Sequence, residues 1–325
     1  MEIQSRRTKQ ITGGIQETMT NLKVLDLFAG CGGFSLGFQK AGFKIEAFIE
    51  LDNQAINTFK NNFPDSKLIT KDITKIQNHE IKQLKDIDII IGGPPCQGYS
   101  LAGKRNIKDP RNQLYKEFLR FIEIIKPKAV VIENVPGILT MDSSEGKKVI
   151  DLIIIDLIKL GYFVSFKKLK AVDFNIPQTR ERIFIIALNK DIFPKGNKLT
   201  NTVGKALKNI SLKANSHLVT EPTSYMLERI KALSQGEKLN PKYNFSRQRL
   251  FLEKPSPTVS TKDLFIHPLE NRFLTPRELA RLQSFPDDFN FFGSKTSKIK
   301  QIGNAVPPEL AFELAKKMKE EIDYG

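Results

Sequence analysis

The sequence predicts an α/β protein in which stacked β-α units form one domain and a smaller, irregular segment forms a second. From Leu22 onward, short apolar runs alternate with amphipathic segments, a pattern typical of β-α units. From about Asn189 to His267 the chain becomes rich in Lys, Asn, Pro and Ser, and its hydrophobic periodicity weakens. A length of 325 residues also agrees with about two domains.

Seven apolar runs predict strands, and four amphipathic segments between them predict helices. The predicted strands are Lys23–Phe28, Lys44–Ile49, Lys67–Thr70, Ile87–Ile91, Ala129–Glu133, Val164–Leu169 and Ile183–Leu188. The predicted helices are Gly33–Ala41, Gln54–Asn61, Gln113–Ile125 and Lys147–Leu160.

Two further signals concern the C-terminal part of the chain. Thr275 can cap the N-terminus of a helix, with Pro276 as its first residue and Glu278 as the capping-box partner. From about Pro308, apolar residues recur at helical spacing, and we expect this last amphipathic helix to pack on the N-terminal sheet. The expected units are a flexible leader at 1–20, a first domain at 21–189 plus 300–325, and a second domain at 190–299.

The composition is that of a soluble globular protein, with 40% hydrophobic and 27% charged residues. Three charged residues interrupt the longest apolar stretch, so no membrane span is expected. The N-terminus is polar and shows no signal peptide. The two cysteines, Cys31 and Cys96, make a disulfide framework improbable and fit a reducing cytoplasm.

The net charge of +15 favours a polyanionic partner, because cationic side chains release counterions from phosphates. Lysine supplies most of this charge, and a lysine-rich solvated surface would account for it equally simply. Charge alone therefore favours nucleic acid only modestly.

A glycine turn and three acids predict a nucleoside site. The segment DLFAGCGG, from Asp26 to Gly33, runs from a strand into a helix, where glycines let a ligand approach the backbone. Glu50 ends the second strand and Asp72 follows the third, so both can accept hydrogen bonds from a nucleoside. The G-x-G-x-x-G fingerprint is absent, which disfavours a nicotinamide oxidoreductase. S-adenosylmethionine, a nucleoside without a pyrophosphate, suits this set, although each acid alone could be an ordinary loop-end residue.

The segment GGPPCQGYS places Cys96 just past a predicted strand, behind two prolines that restrict the backbone. Open α/β sheets carry their chemistry at such strand ends. Taken alone, Cys96 would more often be a small buried hydrophobe. Three other motifs change that expectation: Glu133-Asn134-Val135, QTRER at 178–182, and QIGNAVPP at 301–308.

Together and in this order, these motifs resemble the DNA (cytosine-5) methyltransferase family over about 22–190 and 270–322. The matching segments are DLFAGCGG, Glu50, Asp72-Ile73, GGPPCQGYS, ENV, QTRER, RFLTPRELARLQSFPDDF and QIGNAVPP. The resemblance implies the Rossmann-like sheet of S-adenosylmethionine-dependent methyltransferases, with a smaller, irregular target-recognition domain around 190–267. It also implies these cofactor-binding residues: Asp26, Phe28, Gly30, Gly32, Gly33, Glu50, Asp72, Ile73, Pro94 and Asn304.

Within that set, Phe28 resembles the residue that packs on adenine, and Glu50 the ribose ligand. Asp72 resembles the adenine ligand, and Asn304 would lie near the methionine part.

The same resemblance assigns the catalytic residues Cys96, Glu133, Arg182 and Arg180. Addition of the Cys96 thiolate to C6 of cytosine makes C5 nucleophilic. Glu133, carrying a proton, would contact N3 and the exocyclic amine. Arg182 would hold O2, and Arg180 would support the same group of residues. The sequence identifies neither a histidine partner for Cys96 nor the base that removes the C5 proton.

The target cytosine must leave the duplex for this chemistry, so base flipping is expected. The predicted DNA contacts in a mobile loop after Cys96 are Ser100, Lys104, Arg105 and Arg111. Those in the target-recognition stretch at about 190–267, called the variable region below, and at its border are Arg247, Arg249 and Arg272. Arg272 is also expected to brace the variable region against the first domain. Which of these arginines read bases is left open, because phosphate contacts are commoner than base contacts.

The resemblance further implies double-stranded DNA as substrate and a bacterial restriction-modification system with a cognate endonuclease acting on the same site. A monomer in the cytoplasm, associated with the nucleoid through DNA, is expected. Two alternatives stay open: a tRNA cytosine-5 methyltransferase, and a catalytically inactive DNA-binding relative.

Overall fold

The computed structural model describes residues 21–69, 72–95, 111–143, 146–197, 201–211, 213–243, 246–262 and 264–323. Seven strands form one sheet, in chain order β1 Lys23–Leu27, β2 Lys44–Ile49, β3 Lys67–Ile69, β4 Ile89–Gly92, β5 Ala129–Asn134, β6 Val164–Lys170 and β7 Glu181–Ala187. Their spatial order is β3-β2-β1-β4-β5-β7-β6. Strands β1 to β5 pair in parallel, whereas β7 runs antiparallel to both β5 and β6.

The described helices are α1 Gly33–Lys40, α2 Asn53–Asn62, α3 Asn78–Lys82, α4 Arg111–Ile125, α5 Val149–Lys159, α6 Val203–Leu207, α7 Ser224–Lys231, α8 Pro276–Leu282, α9 Lys295–Asn304 and α10 Pro308–Asp323. The predicted α/β class, the seven strands and the four helices of the first domain are confirmed, with ends that shift by one or two residues. Thr70, the predicted end of the third strand, lies outside the described residues.

The registers bring several strand ends to one edge of the sheet. Leu27, the last residue of β1, pairs with Ile49 on one side and Gly92 on the other. Gly92 in turn pairs with Ile132, one residue before Glu133. Because β7 runs in the opposite direction, its first residues reach the same edge. Segments distant in sequence therefore meet where parallel strands end, as the sequence predicts.

Helices cover both faces of the sheet. On one face, α1 and α10 pack together, and Gly37 makes this possible because a Cβ there would lie 2.4 Å from the Cβ of Ala311. The helix α10 packs most closely on α1. Its buried side chains, such as Leu314 and Met318, join the apolar cluster that also contains Phe184 of β7, in agreement with the expected packing toward the sheet. Side chains of α4 and α5 are buried on the opposite face.

The variable region contains little regular secondary structure, as predicted. It contains α6, α7 and a parallel pair of two-residue strands, β8 Gln248–Arg249 and β9 Phe265–Ile266. Its buried side chains, such as Val203 and Leu250, join the same apolar cluster as the α1 face of the sheet. The exact domain boundaries therefore stay a prediction.

The predicted capping box at the start of α8 is confirmed. The Thr275 hydroxyl accepts a hydrogen bond from Glu278 N at 3.2 Å, and the Glu278 carboxylate accepts one from Thr275 N at 2.7 Å. Over the described ranges, no helix has the length and apolar character needed to cross a membrane.

Candidate active site

The turn after β1 is fixed by the carboxylate of Glu50. Gly30 N donates to Glu50 Oε2 at 2.8 Å, and the amides of Leu51 and Asp52 both donate to Glu50 Oε1 at 2.8 Å. Phe28 adopts a positive φ of 62°, which a side chain tolerates only where its surroundings hold it. Glu50 thus lies against the glycine turn, as the predicted nucleoside site requires.

Asp26 at the end of β1 is a second carboxylate in this site and is only 1% exposed. Burial raises the pKa of Asp26 to about 7, and the nearby Glu50 charge adds to the rise. A hydrogen bond from Ser35 Oγ at 2.6 Å opposes it. Sequence reasoning missed Ser35, although a serine in the first turn of α1 faces the end of β1 across the glycine turn.

A cavity of about 490 Å³ opens at this edge of the sheet. The predicted site residues in its lining are Asp26, Phe28, Gly30, Glu50, Pro94, Glu133, Arg180, Arg182 and Asn304. Members of both predicted sets, cofactor-binding and catalytic, therefore share one cavity, although they are far apart along the chain.

Four predicted cofactor residues do not line this cavity, as far as the described residues show. Gly32 and Gly33 serve packing, because a Cβ would lie 2.5 Å from the Phe63 ring or 2.4 Å from the Val306 carbonyl oxygen, respectively. The remaining two are Asp72 and Ile73.

Asp72 caps a 3₁₀ turn over Ile73–Lys75. Its carboxylate accepts from the Thr74 amide at 3.0 Å and from the Thr74 hydroxyl at 2.8 Å, and these bonds lower the pKa of Asp72. Ile73 is buried in the core. The contact of either residue with adenine stays a prediction.

Glu133 and Arg182 form an ion pair in the cavity. Arg182 Nε lies 2.8 Å from Glu133 Oε1, and the two side chains are only 14% and 12% exposed, respectively. Gly93 lies against the acid, since a Cβ there would be 3.3 Å from Glu133 Oε2. Asn134 Nδ2 donates to the Pro94 carbonyl at 3.2 Å. The acid, the guanidinium and the segment leading to Cys96 are thereby held together.

Cys96 itself lies outside the described residues, as do Ser100, Lys104 and Arg105, and the side chain of Arg111 is not described. The other cysteine, Cys31, is unsuited to nucleophilic attack. It is 1% exposed, its thiol donates to the Gln301 carbonyl at 3.6 Å, and burial raises the pKa of Cys31 to about 12.

Arg180 lines the cavity, but its guanidinium is bonded to backbone carbonyls. Its guanidinium is 2% exposed and donates to the backbone carbonyls of Val259, Gly303 and Ala305. Burial and the neighbouring Arg182 lower the pKa of Arg180 to about 9, against the opposing effect of Glu133, so Arg180 stays protonated at neutral pH. In this structure Arg180 positions backbone at the edge of the cavity, and its support of the catalytic residues stays a prediction.

Two of the arginines predicted to contact DNA are buried. Arg249 is 5% exposed and donates to the carbonyls of Ile230, His267 and Glu270 and to Asn271 Oδ1. Arg272 is 6% exposed and forms a bidentate pair with Glu278, with both distances 2.8 Å. Because both guanidinium groups are buried and bonded within the protein, the DNA-contact assignment is corrected for both. The described partners of Arg272 lie within 270–278, inside the second predicted domain, so its bracing of that domain against the first stays a prediction.

Arg247, in contrast, is partly exposed. Its guanidinium lies over the Phe273 ring, 4.8 Å from the ring centroid. Of the three arginines predicted in the variable region, Arg247 is the one whose position leaves a DNA contact open.

Sequence reasoning also missed a buried amide network. Gln178 Nε2 donates to Gln283 Oε1 at 2.8 Å, and Gln178 Oε1 accepts from Val259 N at 2.8 Å. Gln283 Nε2 donates to the Ile302 carbonyl at 2.7 Å. Both glutamines are fully buried. Their partners are mostly backbone groups, which leave no signature in the sequence.

Comparison with known proteins gives one consistent family. A family model described as C-5 cytosine-specific DNA methylase matches residues 22–320. The type II methyltransferase M1.HphI of Haemophilus parahaemolyticus is 39% identical over 324 residues, covering 91% of this chain and 86% of that protein. The type II methyltransferase M.DdeI of Desulfomicrobium norvegicum is 34% identical over 366 residues, covering 91% and 88%.

Solved structures show the same fold. One is a crystal structure assigned as a DNA modification methyltransferase encoded within an E. coli prophage, with a TM-score of 0.78 and 29% identity over 93% of this chain and all of that one. The S. pombe Dnmt2 methyltransferase has a TM-score of 0.69 and 19% identity over 94% of this chain and all of that one, a likeness of fold alone.

Proposed function

The chain belongs to the C-5 cytosine-specific DNA methylase family, and we propose that it methylates C5 of a cytosine in a short specific sequence of duplex DNA. The cytosine is flipped out of the duplex, and the reaction proceeds through a covalent adduct with Cys96. The protein is a DNA cytosine-5-methyltransferase of the type II kind. The observation that carries the proposal is the Glu133–Arg182 ion pair in the cavity, next to the segment that leads to Cys96.

The lining of the cavity suits S-adenosylmethionine. Glu50, oriented by three backbone amides, is placed to accept hydrogen bonds from ribose hydroxyls. The cavity is lined by two acidic side chains, and ionisation of Asp26, whose pKa is about 7, would add negative charge beside a cationic ligand. Phe28 offers an aromatic surface for adenine, and Asn304 lines the same cavity and is assigned to the methionine part. When bound, S-adenosylmethionine supplies the methyl group that C5 accepts.

The residues of this chain carry the remaining chemistry. The Cys96 thiolate adds to C6, forming a carbon–sulfur bond and moving electron density to C5, N3 and O2. Arg182 stabilises the charge on O2, and Glu133 holds a proton at N3. After the methyl group has been accepted, C5 gives its proton to a solvent base and N3 returns its proton to Glu133. The bond between C6 and the Cys96 sulfur then breaks, which restores the aromatic ring and the thiolate.

A flipped cytosine requires DNA contacts that hold the duplex open. The net charge of +15 supports binding to phosphates. The residues proposed to contact DNA are Ser100, Lys104, Arg105, Arg111 and Arg247. A cognate endonuclease belongs to the same proposal, because the relatives are named type II methyltransferases. A monomeric state and a cytoplasmic, nucleoid-associated location are carried over from the family resemblance.

Bisulfite sequencing tests the proposal directly. Genomic DNA from an unmethylated host is incubated with the enzyme and S-adenosylmethionine, with tRNA treated in parallel. We expect protected cytosines at one position of one short sequence in DNA and none in tRNA. Protection in tRNA alone would support the tRNA alternative, and protection in neither would support an inactive relative.

A further inference from the structure

Three segments of the chain meet around Arg180. The first is 177–180, which leads into β7. The second, 256–260, belongs to the variable region and runs alongside the first: Thr179 N donates to the Ser256 carbonyl at 2.8 Å, and Ser256 N donates to the Pro177 carbonyl at 2.9 Å. The third is 303–305, where α9 ends.

The guanidinium of Arg180 joins the second and third segments. Nη1 donates to the Val259 carbonyl at 3.2 Å, and Nη2 donates to the carbonyls of Gly303 and Ala305 at 3.1 and 3.0 Å. The two segments are also in direct contact, since a Cβ on Gly303 would lie 2.3 Å from the Ser260 carbonyl oxygen. Separating them would leave a buried cation without its acceptors, so they are expected to move as one body.

Each segment has a functional neighbour. Gly303, Asn304 and Ala305 form one wall of the cavity. The segment 256–260 continues toward β9, which pairs with β8 directly after Arg247. One buried cation therefore connects the wall of the methyl-donor site with the region proposed to contact DNA.

We propose that Arg180 is a positioning residue that couples methyl-donor binding to DNA binding by holding the 303–305 wall and the 256–260 segment in one fixed arrangement. This inference rests on the proposed function. A ligand that orders the wall also orders the DNA-contacting region, and the coupling must be reciprocal. Arg suits the role because its planar fork reaches carbonyls on two segments, which the single ammonium of Lys cannot reproduce.

The test measures binding of S-adenosylhomocysteine, which does not react, by isothermal titration calorimetry with and without the duplex identified by bisulfite sequencing. For the wild type we expect binding at least about fivefold tighter in the presence of DNA. For Arg180→Lys we expect S-adenosylhomocysteine to bind about tenfold more weakly without DNA. The ratio of its dissociation constants without and with DNA should fall to about one, because Arg180 no longer holds the 256–260 segment against the 303–305 wall.

Arg277→Lys is the matched control. Arg277 is also fully buried, and among the described residues its guanidinium donates to the backbone carbonyls of Asn215, Pro286 and Phe289. It is not among the described residues that line the cavity. We expect this variant to lower the melting temperature while its affinity and its coupling ratio stay at the wild-type values. Equal effects of both substitutions would overturn the proposal, because Arg180 would then act only as a general stabilising residue.

Gln283→Met provides a second variant if Arg180→Lys does not fold. It removes the donor to the Ile302 carbonyl at the same junction and keeps Arg180. We expect a partial loss of coupling in this variant. Coupling at the wild-type level in a folded Arg180→Lys protein, or in Gln283→Met, would overturn the proposal. Failure of the wild type to bind S-adenosylhomocysteine would contradict the proposed function instead.

Discussion

Arg182 Nε lies 2.8 Å from Glu133 Oε1, so the acid and the guanidinium assigned to the pyrimidine ring pair with each other in the structure. The two residues come from neighbouring antiparallel strands, β5 and β7, and both side chains are largely buried. The pair gives each group a partner in the absence of a base. A flipped cytosine would replace it, with O2 accepting from Arg182 and N3 facing Glu133.

Glu133→Gln should lower the single-turnover rate of methylation by about 10²- to 10⁴-fold, because an amide cannot supply the proton that N3 requires. Affinity for S-adenosylhomocysteine should change by less than about twofold, since the acid faces the base rather than the cofactor. Rapid-quench kinetics with tritiated cofactor measures the first quantity and calorimetry the second.

Glu181→Gln is the control for that substitution. Glu181 begins the same strand as Arg182, but its carboxylate is directed to Lys168 and Lys170 at 3.2 and 3.6 Å. Its rate should match the wild type. A Glu133→Gln variant that keeps the wild-type rate would remove Glu133 from the catalytic residues.

Cys96→Ser should abolish methylation while the affinity for the cofactor stays unchanged, because a hydroxyl is a far weaker nucleophile than a thiolate. Duplex DNA with 5-fluorocytosine at the target should form a covalent adduct with the wild type, since C5 then has no proton to lose, and none with the variant. Denaturing electrophoresis detects the adduct.

Cys31→Ser serves as the matched control, because Cys31 is buried and its thiol donates to the Gln301 carbonyl. It should keep both turnover and adduct formation. Turnover by Cys96→Ser, or an adduct that forms through Cys31, would exclude the covalent mechanism proposed for Cys96.

The strands were predictable to within one or two residues because apolar runs such as Ile89 to Ile91 are buried on both faces of the sheet. The ion pair between Glu133 and Arg182 was not, since the sequence does not reveal that β7 runs antiparallel beside β5. Each residue could be placed at a strand end, but their adjacency depends on strand order.

The arginines show a second limit. Arg247 and Arg249 are two residues apart, yet one is partly exposed and the other buried. The groups that hold Arg249 inside are mostly backbone carbonyls, which every residue possesses, so no sequence signal separates a bracing arginine from one that contacts DNA.

Asp26 makes the stability of the protein depend on pH. Its pKa rises from 3.8 to about 7 on folding, mainly through burial, so the folded state retains a proton that the unfolded state loses above about pH 4. The stabilisation is complete below about pH 4 and is lost as the pH rises to about 7, an effect on the order of 4 kcal/mol. The melting temperature of the wild type relative to Asp26→Asn should therefore fall between pH 4 and pH 7 and then level off.

Differential scanning calorimetry of both proteins across that range measures the difference. Ser35→Ala is a useful companion, since removing the hydrogen bond that stabilises the carboxylate should move the fall toward higher pH. A difference between wild type and Asp26→Asn that does not vary with pH would contradict the raised pKa.

Arg272→Ala and Arg247→Ala should separate stability from DNA binding. Removing Arg272 leaves Glu278 buried and without its bidentate partner, so the free energy of unfolding should fall by about 3–5 kcal/mol. Removing the partly exposed Arg247 should lower the free energy of unfolding by only about 1 kcal/mol, because its contact with the Phe273 ring is lost, and should lower the salt dependence of DNA binding by about one phosphate contact. Urea unfolding and DNA titrations at several salt concentrations measure the two effects, and a loss of salt dependence in Arg272→Ala alone would reverse the two assignments.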